Sequence, residues 1–364
     1  MGFFAVRQHL KGVWNLSNRR VTASYRMIRL SATAMAGTLT AGLFILAIPQ
    51  AVNGASAYTL TPTTYGMQVK TPDGRVVFEY LTKKPENIGL TSTSAACFHP
   101  VNTPSGEPIT ALAPDDHPHH RGIFLGWQAS EFRSPANLDN YGPHRPHRAV
   151  NISRADFWGW GEFAPREGRV IQNRDVKLTR ADSDHAEIEI RNEWLIRNRK
   201  QLDEINIASV AEREGVYVLD LEYRLTPVVD YVLDRASFGG FTVQARKDGE
   251  SYFANAAGKV DLPDPHYSMP DLNWPEAPWY DYSIRLKGNG KTLGVAVLDH
   301  PRNPTTTWHN STRLWMLHPV ITAGGPFTIP HGETLVLRYR MVVHDGETPT
   351  ALLEKLAAEW RGKR

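Results

Sequence analysis

The chain has 364 residues, carries 41 Lys and Arg against 38 Asp and Glu, and is 41% hydrophobic, which is the composition of a globular protein with a sizeable core. Its single cysteine, Cys97, excludes an internal disulfide and a thiolate metal cluster, and we expect it to be a buried packing residue. Ten Trp and the scattered Gly and Pro are typical of many short strands joined by turns.

The N-terminal segment is predicted to be an export signal. The apolar run ATAMAGTLTAGLFILAIP follows Arg26 and Arg29 and precedes Ala55-Ser56-Ala57, the small-x-small pattern of a signal peptidase site. The run is shorter than the roughly 20 apolar residues that span a bilayer. A start at Met27 would give the signal its usual proportions. We therefore predict a leader over residues 1–57, a periplasmic or secreted protein, and no membrane attachment after cleavage.

Removal of the leader changes the charge of the protein. Residues 1–57 contain six Lys or Arg and no acidic residue, so the remainder has 35 basic and 38 acidic groups and a net charge of −3. Nucleic-acid binding needs clustered positive charge. The composition after the leader therefore argues against a nucleic-acid partner.

The next residues predict β-hairpins in chain order. Residues 65–70 and 76–80 alternate around a turn at Pro72-Asp73-Gly74, and residues 98–101 and 109–112 flank a second turn at Pro104-Ser105-Gly106. Six further segments read as strands because of alternation or β-branched content: 170–178, 185–196, 215–225, 237–244, 292–298 and 334–343. Residues 261–282 are predicted to form a long loop.

Only residues 350–360 have helical spacing, with Pro349 as a helix opener. The predicted fold class is therefore all-β, as one large antiparallel sandwich with a short C-terminal helix. The predicted organisation is a sandwich domain over residues 58–346 and a helical tail over residues 347–364.

Five of the fourteen histidines lie between His117 and His147. In the densest piece, DHPHHRG, an extended backbone would place His117 and His119 on one side and His120 on the other. Because Pro118 lacks an N–H, this piece is predicted to be a loop or a sheet edge. Two imidazoles at this spacing fit half a metal site or a proton donor and acceptor. Arg121 is a candidate for binding a carboxylate or sugar hydroxyls.

Other candidate site residues lie further along the chain. His300, Asn303 and His309 follow a predicted strand in HPRNPTTTWH, and Glu204 lies in a strand-like stretch as a possible facing carboxylate. Aromatic platforms for sugar rings are predicted among Trp127, Phe157, Trp158, Trp160, Trp274, Trp279, Trp308 and Trp315, although each is individually a core candidate.

These motifs together resemble the bacterial PmoA-like family, a domain family that carries a methane-oxygenase label. The resemblance rests on DHPHHRGIFLGW at 116–127, DFW at 156–158, the stretch at 193–204, HPRNP...WH at 300–309 and RYRMVVHDG at 338–346. It implies an exported β-sandwich of the galactose-mutarotase type and a carbohydrate substrate. The chain departs from the family at 130–155, where a longer link adds His144 and His147. It departs again at Phe238-Gly239-Gly240, which replaces a charged turn.

Three functional hypotheses follow. The first is a carbohydrate-active enzyme without a cofactor, with His117, His119, His120 and Glu204 as catalytic groups and with Arg121, Trp127, Trp158, His300, Asn303 and His309 as substrate-binding residues. The second is an oxidative enzyme with a transition metal such as copper or iron on His117, His119, His300 and His309. The third is a carbohydrate-binding module without catalysis. The residues leave hydrolysis, epimerisation and elimination open.

Overall fold

Antiparallel β-strands dominate the computed structural model, which describes residues 56–135 and 150–363. The first half contains β1 (Thr59–Pro62), β2 (Gly66–Lys70), β3 (Val76–Leu81), β4 (Cys97–Val101), β5 (Ile123–Trp127), β6 (Ser130–Pro135), β7 (Val150–Ala155), β8 (Arg169–Ala181), β9 (His185–Ile196), β10 (Arg199–Arg213) and β11 (Val216–Pro227). The second half contains β12 (Asp230–Leu233), β13 (Gly239–Gln244), β14 (Gly249–Asn255), β15 (Gly258–Val260), β16 (Trp279–Leu286), β17 (Thr292–Asp299), β18 (Thr307–Trp308), β19 (Met316–Leu317), β20 (Pro319–Val320), β21 (Phe327–Ile329), β22 (Leu335–Asp345) and the helix α1 (Thr350–Gly362). The predicted leader up to residue 55, and His144 and His147, lie outside the described residues.

Two large sheets form the body of the protein. The first sheet has the order β1-β2-β3-β4-β5-β13-β19, and the second has the order β15-β14-β16-β17-β22-β11-β10-β9-β8. A smaller sheet, β21-β12-β6-β7, and the pair β18-β20 complete the strands. Neighbouring strands pair antiparallel, as in β10 with β11 and β13 with β5.

Aromatic contacts join the two large sheets face to face. Phe241 on β13 stacks on Tyr339 of β22 with ring centroids 4.0 Å apart, and Trp127 on β5 lies 6.0 Å from Trp194 on β9. Such aromatic pairs contribute about 0.5–1.5 kcal/mol beyond the area they bury. Together with one continuous buried cluster shared by both sheets, they confirm the predicted antiparallel sandwich.

Alternation explains why the strands of the second sheet form where they do. On β11, Leu219, Leu221, Tyr223 and Leu225 are at most 2% exposed and face the core. The residues between them lie on the opposite face, where Glu222 pairs with Arg338. This period of two is what a strand with one apolar face requires. The six further predicted strands are found as β8, β9, β11, β13, β17 and β22.

The first predicted hairpin is confirmed, and two other predicted segments differ from the structure. The hairpin of β2 and β3 has the Gly74 N–H bonded to the Thr71 carbonyl in its turn. Residues 109–112 make only isolated bridges, such as Thr110 with Ala245, and no strand. The predicted loop at 261–282 is too long by four residues, because β16 begins at Trp279. The first six residues of β16 are all buried, so both faces are covered and no alternation marks the strand.

The C-terminal helix is confirmed and covers the outer face of the second sheet. Leu353, Leu356, Ala357 and Trp360 are buried on one side of α1, at the spacing of an amphipathic helix. They pack in one cluster with outer-face residues of β11, β16, β17 and β22, namely Val216, Val218, Trp279, Ala296, Leu298 and Val342. Cys97 is buried and free, as expected, and burial raises the pKa of its thiol to about 12. In the residues that the structure describes, no helix has the length and apolar character to cross a bilayer.

Candidate functional site

The histidine-rich motif folds into a tight loop between β4 and β5. The His120 N–H donates to the His117 carbonyl and the His117 N–H to the Pro114 carbonyl, so two turns follow each other. The Ala113 N–H closes the loop on the His120 carbonyl. The extended backbone assumed from the sequence is therefore wrong here. The turns bring all three rings together instead of placing His120 on the opposite side.

We call His117, His119 and His120 the histidine cluster. The ring centroids of His119 and His120 lie 4.5 Å apart, those of His117 and His120 5.1 Å, and those of His117 and His119 5.8 Å. Burial, with the nearby charges of His117, Arg121 and Arg166, lowers the pKa of His119 to about 4. Burial, reinforced by His119, holds the pKa of His120 well below its usual value. Both rings are thus neutral at neutral pH, and each has one ring nitrogen with a lone pair.

His117 is the solvent-facing member of the histidine cluster. Its Nδ1 lies 3.6 Å from a carboxylate oxygen of Asp116, which also receives a hydrogen bond of 2.7 Å from the Lys247 ammonium. Burial alone would raise the pKa of Asp116, but the hydrogen bond and charge of Lys247, a backbone hydrogen bond and the nearby His117 together lower that pKa. A charged carboxylate therefore stands at the open side of the cluster.

Asp156 of the DFW motif shapes the loop that covers the histidine cluster. Its carboxylate accepts the N–H groups of Gly159 and Gly161, at 2.7 and 2.5 Å. Gly159 has a φ of +110°, and a Cβ there would lie 2.6 Å from the Cβ of Ser92, so only glycine fits. The turn places Trp158 against His120 and Trp160 against His119, with centroid distances of 5.6 Å in both pairs.

Arg121 ties the two motif loops together. Its guanidinium donates to the carbonyl oxygens of Ala95, His119, Trp158 and Phe157, at 2.7, 3.3, 2.7 and 3.0 Å. The residue is 0% exposed and lies over the ring of Phe124. Burial lowers its pKa to about 10, which still leaves it charged at neutral pH. Arg121 was predicted to bind substrate. In the structure it has a structural role, because its guanidinium donates four hydrogen bonds to main-chain carbonyls.

A cavity of about 430 Å³ opens beside these loops, and we call it the aromatic pocket. It lies between the small sheet, the turn after β7 and the loops around residues 234–238 and 265–267. Four aromatic residues line it, Trp160, Phe163, Phe238 and Tyr267, together with the charged residues Glu131, Arg154, Asp234 and Arg235. Its wall therefore combines aromatic surface with about as many polar and charged side chains.

Trp160 connects the aromatic pocket with the histidine cluster. It lines the pocket and stacks on His119 with an interplanar angle of 10°. It is 40% exposed and its neighbour Phe163 is 56% exposed, which is unusual for such large apolar side chains. Trp127 and Trp158, the tryptophans predicted to bind substrate, are 1% and 0% exposed and belong to the core. The accessible platform is therefore Trp160.

Glu204 does not bond to the histidine cluster. Its carboxylate accepts hydrogen bonds from Asn192 Nδ2 at 3.0 Å and from Trp194 Nε1 at 2.6 Å, inside the sandwich. Burial raises its pKa, and these two hydrogen bonds lower it in part. The predicted partnership of Glu204 with the histidines is not formed among these contacts.

His300 and Asn303 fix the chain near the C-terminal helix. Asn303 Nδ2 donates to Asp299 and to the Arg338 carbonyl, and its Oδ1 accepts the Arg338 N–H at 2.7 Å. His300 Nδ1 accepts the Arg302 N–H, which leaves Nε2 to donate to the Lys363 carbonyl at 3.1 Å. These contacts give both residues a structural role instead of the predicted binding role.

His309 lies behind the wall of the aromatic pocket. It is 1% exposed, and burial lowers its pKa to about 4, while the adjacent Ser237 backbone acts in the opposite direction. Among the described residues neither ring nitrogen has a hydrogen-bond partner of good geometry, and the same holds for Oε1 of the pocket residue Gln128. Of the predicted binding residues, His309 has two ring nitrogens without a partner, and Trp127 has an unpartnered Nε1.

The predicted metal ligands do not assemble into one site. Across residues 56–135 and 150–363, no group of three or more His, Cys, Asp or Glu is arranged to hold a metal ion. His300 uses both ring nitrogens elsewhere, as described above. The proposed set of His117, His119, His300 and His309 is therefore not a metal centre in this arrangement.

Sequence reasoning missed two parts of the site. Gln244, at the end of β13, lies 2.6 Å from His120 Nδ1 although 124 residues separate them. Phe163 follows no recognisable motif. Trp160 was one of many platform candidates. In an extended chain it would share a face with the buried Trp158, so no local signal separates the two.

Comparison with known proteins places the chain in a family. The model of DUF6807, described as a family of unknown function, matches residues 69–358. The resemblance to the PmoA-like family is not part of that description and stays a prediction. No curated protein matches the chain.

Two solved structures are similar over part of their length. A galactose mutarotase related enzyme from Lactobacillus acidophilus has a TM-score of 0.34 and 8% identity, and covers 79% of this chain and 97% of its own. A "putative aldose 1-epimerase" from Klebsiella pneumoniae has a TM-score of 0.27 and 14% identity, and covers 49% of this chain and 56% of its own.

Proposed function

We propose that this chain, which belongs to the DUF6807 family of unknown function, is an exported protein that binds a carbohydrate and transforms it by histidine acid–base chemistry. The observation that carries the proposal is the position of Trp160. This residue is shared by the aromatic pocket and the histidine cluster. His117, His119 and His120 do not themselves line the pocket, so a ligand reaches the neutral imidazoles by extending from the pocket past Trp160.

The aromatic pocket has the chemistry that a sugar ring needs. The apolar C–H face of a sugar packs on an exposed aromatic face, for which Trp160 and Phe163 are available. Its hydroxyls need donors and acceptors, which Arg154 and Asp234 supply. Glu131 is less available, because Arg133 and Arg154 already bind its carboxylate.

The histidine cluster supplies the proton transfer. His119 and His120 are neutral for the reasons given above and act as proton acceptors. His117, beside Asp116, is placed to relay a proton to solvent. Epimerisation, elimination and hydrolysis each require such a transfer.

Replacing Trp160 by alanine tests the binding part of the proposal. We expect the variant to bind sugars about tenfold more weakly, because loss of one stacking face costs about 1–1.5 kcal/mol. Calorimetry with methyl glycosides of galactose, glucose, xylose and galacturonic acid, and with cello- and xylo-oligosaccharides, measures the change. Leu178→Ala, at an apolar position 38% exposed on β8, is the control. Equal affinity of wild type and Trp160→Ala for every sugar bound, or no binding at all, contradicts the proposal.

Export follows from the leader read in the sequence, which lies outside the described residues. We expect the protein recovered from the periplasm or medium of its host to begin near Tyr58. Intact-mass measurement and N-terminal sequencing check this. A full-length chain confined to the cytoplasm would rule export out.

A further inference from the structure

The amide of Gln244 is fixed in one orientation. The side chain is 2% exposed, and its Nε2 donates to the Ala245 carbonyl at 3.0 Å and to the Leu314 carbonyl at 2.8 Å. Two carbonyl oxygens can be bonded only by the NH₂ end of an amide, and these bonds use both of its hydrogens. The other end, Oε1, is an acceptor only, and it faces His120.

This orientation determines where the proton of His120 sits. Nδ1 of His120 lies 2.6 Å from Oε1 of Gln244, so Nδ1 must be the donor. A neutral imidazole carries one N–H, and Nε2 therefore keeps its lone pair. Within residues 56–135 and 150–363, Nε2 makes no hydrogen bond. His120 thus presents an unused proton acceptor.

A tight turn holds the amide in place. Ser311 and Met316 exchange two backbone hydrogen bonds of 3.0 and 3.1 Å, and the Ser311 hydroxyl accepts the Leu314 N–H. Trp315 has a φ of +51°, which bulky residues rarely adopt, and its carbonyl accepts the Ala245 N–H at 3.0 Å. The turn therefore points two successive carbonyls at β13, and one of them fixes Gln244. Strained backbone of this kind is often retained where a side chain must be aimed.

His318, which also packs against Trp158, shows the contrast. It packs against Trp158 at 5.3 Å, and its Nε2 accepts the Gly239 N–H at 3.1 Å. Its Nδ1 bonds to the Thr242 hydroxyl and the Phe241 carbonyl, at 2.6 and 3.0 Å. Both nitrogens of His318 are therefore used to hold the fold, whereas His120 has only its Nδ1 tied down.

We propose that Gln244 is a positioning residue that holds His120 in the Nδ1–H tautomer, so that Nε2 is the proton acceptor of the site. The tautomer is a property of the resting protein. Only the catalytic use of Nε2 rests on the function proposed above.

Nitrogen NMR of the protein labelled with ¹⁵N-histidine tests the tautomer directly. The His120 resonances are identified by their disappearance in His120→Gln. We expect a protonated Nδ1 and an unprotonated Nε2 at pH 7. An Nε2–H tautomer at pH 7 would overturn the proposal.

Two variants test the role of Gln244. Gln244→Glu keeps an acceptor oxygen facing Nδ1, so it should keep the Nδ1–H tautomer, and its ionised carboxylate should raise the pKa of His120 by about one pH unit or more. It also loses the two hydrogen bonds to the Ala245 and Leu314 carbonyls, so we expect this variant to be less stable than the wild type. Gln244→Leu removes the acceptor and should populate the Nε2–H tautomer. The titratable groups facing His120 are His117, His119 and His318. The exposed Gln172 on β8, replaced by Glu, is the matched control and should change neither property.

The outcomes separate the tautomer from the function. A tautomer that is unchanged in Gln244→Leu overturns the positioning role. The expected tautomer in the wild type and its loss in Gln244→Leu support that role even where no sugar is turned over. In that case only the proposed function fails.

Discussion

Replacing Arg121 by lysine is expected to lower the free energy of unfolding by about 3–5 kcal/mol. A lysine ammonium cannot reach four carbonyl oxygens that a planar guanidinium bonds at once, and each buried carbonyl left unpaired costs about 1–3 kcal/mol. The loss is a large part of the 5–15 kcal/mol that stabilises a typical domain. Urea unfolding followed by tryptophan fluorescence measures it.

Arg133→Lys is the control for this prediction. Arg133 lies on β6 with its side chain 43% exposed and pairs with Glu131, so its replacement should change stability by less than about 0.5 kcal/mol. An Arg121→Lys protein that unfolds at the wild-type urea concentration would show that the guanidinium is not what joins the HHRG and DFW loops.

The sandwich was readable from the sequence because most of its strands bury one face. The alternation of apolar residues on β11 and their helical spacing on α1 indicate which side of each element packs against the core. The local sequence pattern therefore predicts the tertiary contact. The pattern failed at β16, whose first six residues are all buried. Burial on both faces removes the alternation on which such a prediction depends.

The site was only partly readable because its geometry depends on distant contacts. The motif HPHHRG marked the right loop, but the turns that gather its rings are closed by the Ala113 N–H and by Arg121, whose partners include the Trp158 carbonyl. Arginine in a polar motif suggests a ligand, and nothing local shows that four main-chain carbonyls will surround it. Gln244 lies 124 residues from His120, and no sequence period connects them.

Hydrogen bonds to the rest of the fold also explain why the HPRNP motif is not part of the site. HPRNP looks like a binding loop because it is polar and follows a strand. Its polar atoms are consumed by Arg338 and by the C-terminal segment at Lys363, so the loop ends as a structural connection. The histidine cluster differs because His120 Nε2 makes no hydrogen bond within the described residues.

Replacing His120 by glutamine is expected to lower turnover by about 10²–10⁴-fold while leaving sugar affinity within about threefold. The change removes the proton acceptor at Nε2 but not the stacking surface of Trp160, which contacts His119. Turnover is measured with the oligosaccharide that binds best in calorimetry. His331→Gln, at an exposed position, should leave both quantities unchanged.

The pH dependence of turnover gives the same test a second readout. Because the pKa of His119 is lowered to about 4 and that of His120 well below its usual value, both rings stay unprotonated under mild acid. We expect turnover to hold from neutral pH to below pH 6, whereas a base with an ordinary histidine pKa of about 6.5 would already fail at pH 6. Sugar binding that weakens in Trp160→Ala, with no turnover at any pH in the wild type, would instead identify a binding module and leave the histidine cluster a purely structural role.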